Sequence, residues 1–193
     1  MKQIIVATKN QGKLVEYKAL LEPFGFSVLS LYDFPELKEP REKGKTFLQN
    51  ALIKARSIAR KIHMPVIADD SGLEVRALKG KPGVKSRRFS PENTDAANNE
   101  LLLKKLTGKT DRFARFVCQI VYYDPETGYE AFMGTLEGEI ALKLVEGNGF
   151  GYDPLFFVPK LNKHLSELSL SEKNAISHRS VAFMKLIEKI GQN

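Results

Sequence analysis

Two strand-like runs joined by a tight turn constrain this fold more than any other feature of the chain. Residues 113–123 and 129–142 carry Val, Ile, Tyr, Phe and Thr at short intervals. Between them stand the turn formers Asp124, Pro125, Glu126, Thr127 and Gly128. The pattern predicts a long antiparallel hairpin, so a purely parallel sheet is excluded. Upstream of the hairpin the pattern alternates. Residues 3–8 form a β-branched run, followed by Asn10 as a helix cap and by Leu14, Tyr17, Leu20 and Leu21 at helical spacing. That helix ends near Pro23, Phe24 and Gly25, and residues 27–31 read as a second strand. Residues 37–45 are charged, contain Pro40 and Gly44, and read as a loop.

Thr46 and Gln49 then fit a capping box, with Gln49 reaching back. Leu48, Ala51, Leu52, Ala55, Ile58, Ala59 and Ile62 make one apolar stripe, with Asn50, Lys54 and Ser57 on the opposite side. Met64 and Pro65 end this helix. Residues 66–68 read as a strand, Asp69, Asp70, Ser71 and Gly72 as an acidic turn, and 73–75 as extended chain again. Residues 78–88 read as a loop and 94–106 as a helix capped by Thr94 or Asn93. A glycine-rich loop at 147–153, a short strand at 155–158 and a short helix at 170–176 follow. Ser177 is expected to cap a last helix that runs to Ile190 and stops at Gly191. Early alternation followed by a hairpin predicts an α/β fold with a mixed sheet. With neither repeats nor linkers, the 193 residues read as one domain.

Composition narrows the functional classes. With 42% hydrophobic and 27% charged residues, the chain reads as globular, with no apolar run long enough for a membrane span. No secretion signal is visible, and the single cysteine, Cys118, cannot form an intrachain disulfide. A cytoplasmic location is the expectation, with Cys118 a small core residue. The net charge of +7 favours anionic partners. The basic residues are nevertheless spread along the chain, and Asp69 and Asp70 would repel a phosphate backbone in the absence of metal. Nucleic acid is therefore not the expected partner.

Four constellations carry chemistry. Thr8, Lys9, Asn10, Gln11, Gly12 and Lys13 sit at a strand-to-helix junction, where backbone N–H groups favour an anion and where a lysine opposes the helix dipole. Asp69 and Asp70 are adjacent carboxylates that call for a cation or a proton; magnesium takes such oxygen ligands, and Glu42 offers another. Phe150, Gly151, Tyr152 and Asp153 join aromatic rings to a carboxylate, which suits stacking on and hydrogen bonding to a nucleobase. Lys173, His178 and Arg179 form a donor cluster suited to a phosphate or keto oxygen. Each has a plainer reading as a cap, a turn, a packed loop or surface charge. Together they describe an enzyme acting on nucleotide phosphates.

These motifs, with Phe47, Asn50, Ala51, Lys54, Ala55, Pro82 and Gly83, resemble the inosine triphosphate pyrophosphatases over nearly the whole chain. The resemblance implies an elongated mixed sheet flanked by helices, two lobes with a central active-site cleft, a homodimer and Mg2+. It implies a purine nucleoside triphosphate substrate (inosine, deoxyinosine or xanthosine triphosphate) cleaved to the monophosphate and pyrophosphate. By analogy Thr8, Asn10 and Lys13 bind the triphosphate with Lys54 and Lys173. Asp70 is the catalytic base and a metal-site residue, Glu42 is its metal partner, and Ser71 contacts substrate. Phe150 through Asp153, with His178 and Arg179, hold the base. The chain departs from the family pattern at Arg41, Gln49 and Arg87. A related pyrophosphatase acting on pyrimidine or modified nucleotides is the alternative.

Overall fold

The computed structural model describes residues 2–190. The expected helix stop at Gly191 lies outside the described residues. In chain order the elements are β1 (Lys2–Val6), α1 (Gln11–Leu21), β2 (Phe26–Ser30), α2 (Phe47–Ile62), β3 (Val66–Val75), β4 (Lys81–Pro82) and α3 (Asp95–Lys105). They continue with β5 (Phe113–Asp124), β6 (Gly128–Ile140), β7 (Phe156–Val158), β8 (Lys163–His164), α4 (Leu170–Ile176) and α5 (His178–Ile190). The strands form one mixed sheet in the order β2-β1-β3-β5-β6-β7-β8, with β4 paired to β3. β1 runs parallel to both β2 and β3, whereas β7 is antiparallel to β6 and to β8. The chain divides into two compact units. The first comprises Met1–Asp70, Cys118–Gly134 and Arg179–Asn193; the second comprises Ser71–Val117 and Thr135–His178.

In the first unit β1 is buried on both faces, as its apolar run requires. Ile4 and Val6 pack with Tyr17 and Leu21 of α1, Ile67, Cys118, Ile120 and Phe183. Ile5 and Ala7 point the other way and pack with Ala51, Ala55, Ile58 and Ala59 of α2, Val66, Ala68 and Val121. The two helices therefore cover opposite faces of the sheet. Cys118 is a buried core residue, as expected. The second unit has its own core, in which Leu73, Val75, Leu102, Leu106, Phe116, Ile140, Tyr152 and Phe156 meet.

Local signals set most of the boundaries. Asn10 Oδ1 accepts the Lys13 N–H at 3.1 Å, Thr46 Oγ1 that of Gln49 at 3.2 Å and Thr94 Oγ1 that of Ala97 at 3.2 Å. Each cap contributes about 1 kcal/mol. Thr94 is thus the cap of α3, while Asn93 takes a left-handed φ of 55° before it. Gln49 reaches back one residue further than a capping box would place it, to the Lys45 N–H at 2.7 Å. In the hairpin turn Asp124 Oδ1 accepts the N–H groups of Glu126 and Thr127, and Gly128 supplies a φ of 98°.

Two expectations change. The acidic segment Asp69–Gly72 is no turn; β3 runs unbroken through it. In a strand, adjacent side chains point to opposite faces, so Asp69 and Asp70 do not crowd each other and no turn is needed to separate them. The segment 78–88 is not plain loop: it holds β4 and a 3-10 turn over Gly83–Arg88. The polar side of α2 is itself partly covered. Asn50 and Lys54 are buried, because they meet the carboxylates described next.

Candidate active site

The strand register brings the first two motifs together. Val6 of β1 pairs with Ile67 of β3, so the chain leaves β1 at Thr8 level with Asp69. Thr8 is buried and its Oγ1 accepts the Asn10 N–H at 3.1 Å, shaping the entry to α1. Lys9 is exposed, and its carbonyl accepts the Tyr32 hydroxyl at 2.6 Å. Gln11 is exposed, Gly12 half-buried. α1 therefore presents its positive end at the carboxyl end of a parallel strand pair, with its helix on one face and α2 on the other. Open α/β sheets bind ligands at such a place.

The two aspartates have different partners. Asp69 faces the α1 side. Its Oδ2 lies 2.9 Å from Lys13 Nζ, 3.4 Å from a guanidinium nitrogen of Arg179 and 3.7 Å from Cys118 Sγ. Arg179, only 1% exposed, also pairs with Glu16. Burial alone would lower the guanidinium, but Glu16 and Asp69 outweigh it and hold Arg179 well above its ordinary value. The neighbouring Tyr17 hydroxyl is pushed well up, first by burial and then by Asp69. Charges buried this deeply persist only when paired.

Asp70 faces the α2 side. Its Oδ2 accepts the Asn50 side-chain N–H at 2.9 Å, and the Asn50 Oδ1 accepts the Gly44 N–H at 2.8 Å. A Cβ at Gly44 would come within 2.5 Å of that Oδ1, so the loop before α2 can approach Asn50 only through a glycine. Lys54 Nζ lies 2.9 Å from Glu42 Oε1 and 4.0 Å from Asp70 Oδ1. Burial raises the Asp70 carboxyl above its usual range, with Lys54 and Lys13 opposing the shift and Glu42 adding to it. Burial would lower the Lys54 ammonium, but Asp69, Asp70 and Glu42 together raise it. Asp70 is thus a buried, oriented carboxylate with a raised proton affinity, suited to hold a water or take its proton.

Glu42, Asp69 and Asp70 do not form one cluster. No group of three or more metal-ligating side chains occurs among the described residues. The donor chemistry of two of them still fits a hard divalent cation. Glu42 and Asp70 approach the same ammonium, and magnesium takes one or two carboxylates plus substrate phosphates rather than a full protein cage. Asp69, expected as a third ligand, is paired with Lys13 and Arg179.

The second unit holds the other two motifs. Asp153 is 3% exposed; its Oδ2 accepts Lys173 Nζ at 2.6 Å and the Phe150 N–H at 2.9 Å. Lys173 Nζ lies 4.7 Å from the centre of the Phe150 ring, in cation–π range. Lys173, expected at the phosphates, is therefore paired with Asp153 beneath an aromatic platform. Phe150 is half-buried, Tyr152 is buried with its hydroxyl donated to the Ser86 carbonyl at 2.8 Å, and Gly151 takes a φ of 65°. His178 stacks on Phe116 with ring centres 4.8 Å apart. Ser71 follows Asp70 directly on β3 and belongs to this unit. Arg179, expected beside the base with His178, belongs to the first unit and carries the ion pairs to Glu16 and Asp69.

Asn50 is a motif residue to which the sequence assigns no site role, and the structure places it on Asp70. Its signal was its position four residues before Lys54 on one helix face. Asp95 and Asn99 of α3 were also missed, and both bond the glycine-rich loop. The Gly151 N–H donates to Asp95 Oδ2 at 2.7 Å, and Asn99 Nδ2 donates to the Gly151 carbonyl at 2.8 Å.

A mixed-sheet α/β protein with a helix N-terminus at the end of a parallel strand pair and a buried, lysine-flanked aspartate beside it has the features of proteins that handle phosphorylated ligands. Its sequence and fold neighbours are specific. A profile of the Ham1 family matches residues 4–189, and the chain belongs to that family. It is 49% identical to a dITP/XTP pyrophosphatase of an Exiguobacterium species, covering 97% of this chain and 96% of that one. Among solved structures it is similar to the Ham1 protein of Staphylococcus aureus (TM-score 0.89, 42% identity, full coverage of both chains). It is also similar to a HAM1 protein of Coxiella burnetii (TM-score 0.90, 38% identity, full coverage of both).

Proposed function

We propose that this protein hydrolyses non-standard purine nucleoside triphosphates, those of inosine, deoxyinosine and xanthosine, to the monophosphate and pyrophosphate, and so keeps them out of DNA and RNA. The observation that carries the reading is Asp70: a buried carboxylate, oriented by Asn50, beside the Lys54–Glu42 pair. The names of the similar enzymes point to the same reaction.

In this reading Thr8, Asn10, Gln11, Gly12 and Lys13 receive the polyphosphate at the start of α1, with Lys9 at its edge. Lys54 stabilises charge on the phosphate oxygens from a fixed position. Asp70 orients and deprotonates the water that attacks the α-phosphorus, and pyrophosphate leaves. Glu42 and Asp70 would hold Mg2+, which supplies charge neutralisation at the phosphates. Phe150 stacks on the base, while Asp153 and Lys173 keep that ring in place. Ser71 and His178 contact substrate, and a donor from the His178 region facing O6 would accept hypoxanthine and xanthine but meet the amino group of adenine. Arg179 serves the site by fixing Asp69 and Glu16. No described helix is long and apolar enough to cross a membrane. A cytoplasmic homodimer that does not bind nucleic acid completes the proposal.

The test is pyrophosphate release from inosine, xanthosine, adenosine, guanosine and cytidine triphosphates, each with and without magnesium. Magnesium-dependent release from the first two alone is expected. Equal release from all five would overturn the base assignment. Release from cytidine triphosphate alone would favour the pyrimidine alternative.

A further inference from the structure

The glycine-rich loop that carries Phe150 is held by another element. Asp95 and Asn99 lie one turn apart on α3 and so share a helix face. Between them they bind both backbone polar groups of Gly151, which belong to two successive peptide units: Asp95 Oδ2 accepts its N–H at 2.7 Å and Asn99 Nδ2 donates to its carbonyl at 2.8 Å. Asn99 is 3% exposed, and its buried Oδ1 has no hydrogen-bond partner among the described residues, so the bond to Gly151 orients this amide. Gly151 stands at φ 65°, a conformation that a side-chain-bearing residue rarely adopts.

α3 is itself anchored. Next to Asn99, Asn98 accepts the Ser90 N–H at 2.7 Å and donates to the Arg87 carbonyl at 3.0 Å. Ser86, one residue before Arg87, accepts the Leu73 N–H on its Oγ at 2.9 Å, and its carbonyl accepts the Tyr152 hydroxyl at 2.8 Å. Strand β3, the 3-10 turn Gly83–Arg88, α3 and the loop thus form one closed hydrogen-bonded frame. Phe150, immediately before Gly151, has its own N–H held by Asp153. With backbone fixed on both sides and Lys173 against its ring, Phe150 has little freedom to turn.

We propose that Asp95 and Asn99 are positioning residues for nucleobase recognition: they clamp the Gly151 backbone and thereby hold the Phe150 ring where a purine stacks. The inference rests on the reading of Phe150 as the base platform. The two residues touch no reacting atom, so their loss should weaken base binding and spare the chemical step. Losing one buried hydrogen bond should raise KM for inosine triphosphate roughly tenfold.

The experiment combines calorimetric binding of inosine monophosphate and of pyrophosphate with steady-state hydrolysis of inosine triphosphate. It uses the full chain and its Asp95→Ala, Asn99→Ala, Asp95→Asn and Thr94→Ala variants. The alanine variants at Asp95 and Asn99 should weaken the monophosphate and raise KM, leaving kcat and pyrophosphate binding unchanged. Asp95→Asn keeps an acceptor for the Gly151 N–H and should recover most of the binding. Thr94→Ala removes only the cap of α3; it should lower the melting temperature without moving KM. Unchanged monophosphate binding in both alanine variants would overturn the proposal, as would a Thr94→Ala effect on KM equal to theirs. If the unaltered chain binds the monophosphate but releases no pyrophosphate, the hydrolytic reading fails while the clamp is still measured. If it neither binds the monophosphate nor releases pyrophosphate, both fall.

Discussion

The unit that carries Asp69 and Asp70 and the unit that carries the glycine-rich loop solve the same problem, rigid placement of polar groups, by different means. In the first, charges are buried against charges: Lys13 and Arg179 on Asp69, Arg179 on Glu16, Lys54 on Glu42. In the second, the buried pair of Lys173 with Asp153 is joined by side chains that hold backbone groups, with Asp95 and Asn99 on Gly151, Asn98 on Arg87 and Ser90, and Tyr152 on Ser86. In the proposed function a triphosphate needs a fixed field that does not reorganise as charge develops, and paired buried ions are suited to supply one. A flat base needs a fixed surface, and a restrained loop supplies that.

Substitutions can break this contrast in order of expected effect. Asp70→Asn should lower turnover of inosine triphosphate by roughly 10³-fold, the range for loss of a general base. Its melting temperature should hold, because the amide keeps an acceptor for Asn50 and removes a buried charge. Assays of pyrophosphate release and thermal unfolding check both halves. Arg179→Leu should act mainly on stability, because it leaves Glu16 and Asp69 buried with one cation fewer. The cost is about 3–5 kcal/mol, read by denaturant unfolding. An unchanged midpoint would mean the pairs are not the support they look to be.

Gly44→Ala should act on chemistry with a smaller effect. The new Cβ meets Asn50 Oδ1, displaces the residue that orients Asp70, and should lower kcat by about tenfold with KM little changed. Arg76→Ala marks the lower limit. Arg76 binds Asp111 through two hydrogen bonds on an exposed surface, and its loss should leave both melting temperature and activity unchanged.

The sequence disclosed these features unevenly. The strand–helix alternation, the hairpin and the caps at Asn10, Thr46 and Thr94 were legible because each is local, depending on residues within one or two turns. Thr8, Asn10, Lys13 and Asp70 were legible as motifs. The path of β3 through Asp69–Gly72 was not: Asp, Ser and Gly are turn formers, and the cations that allow two aspartates in a strand come from residues 13, 54 and 179. The clamp on Gly151 was equally hidden, since Asp95 and Asn99 bind a residue more than fifty positions away. Asp69 and Arg179 illustrate the limit of motif reading. Both stand out as motif residues, but their partners within the fold, Lys13 and Glu16 besides each other, come from α1 and are not legible in either motif.

The most direct test of the account is pyrophosphate release from inosine triphosphate, with magnesium, by the unaltered protein and by Asp70→Asn side by side. The account predicts rapid release by the first and a loss of about 10³-fold in a folded second. Full activity in Asp70→Asn would contradict it.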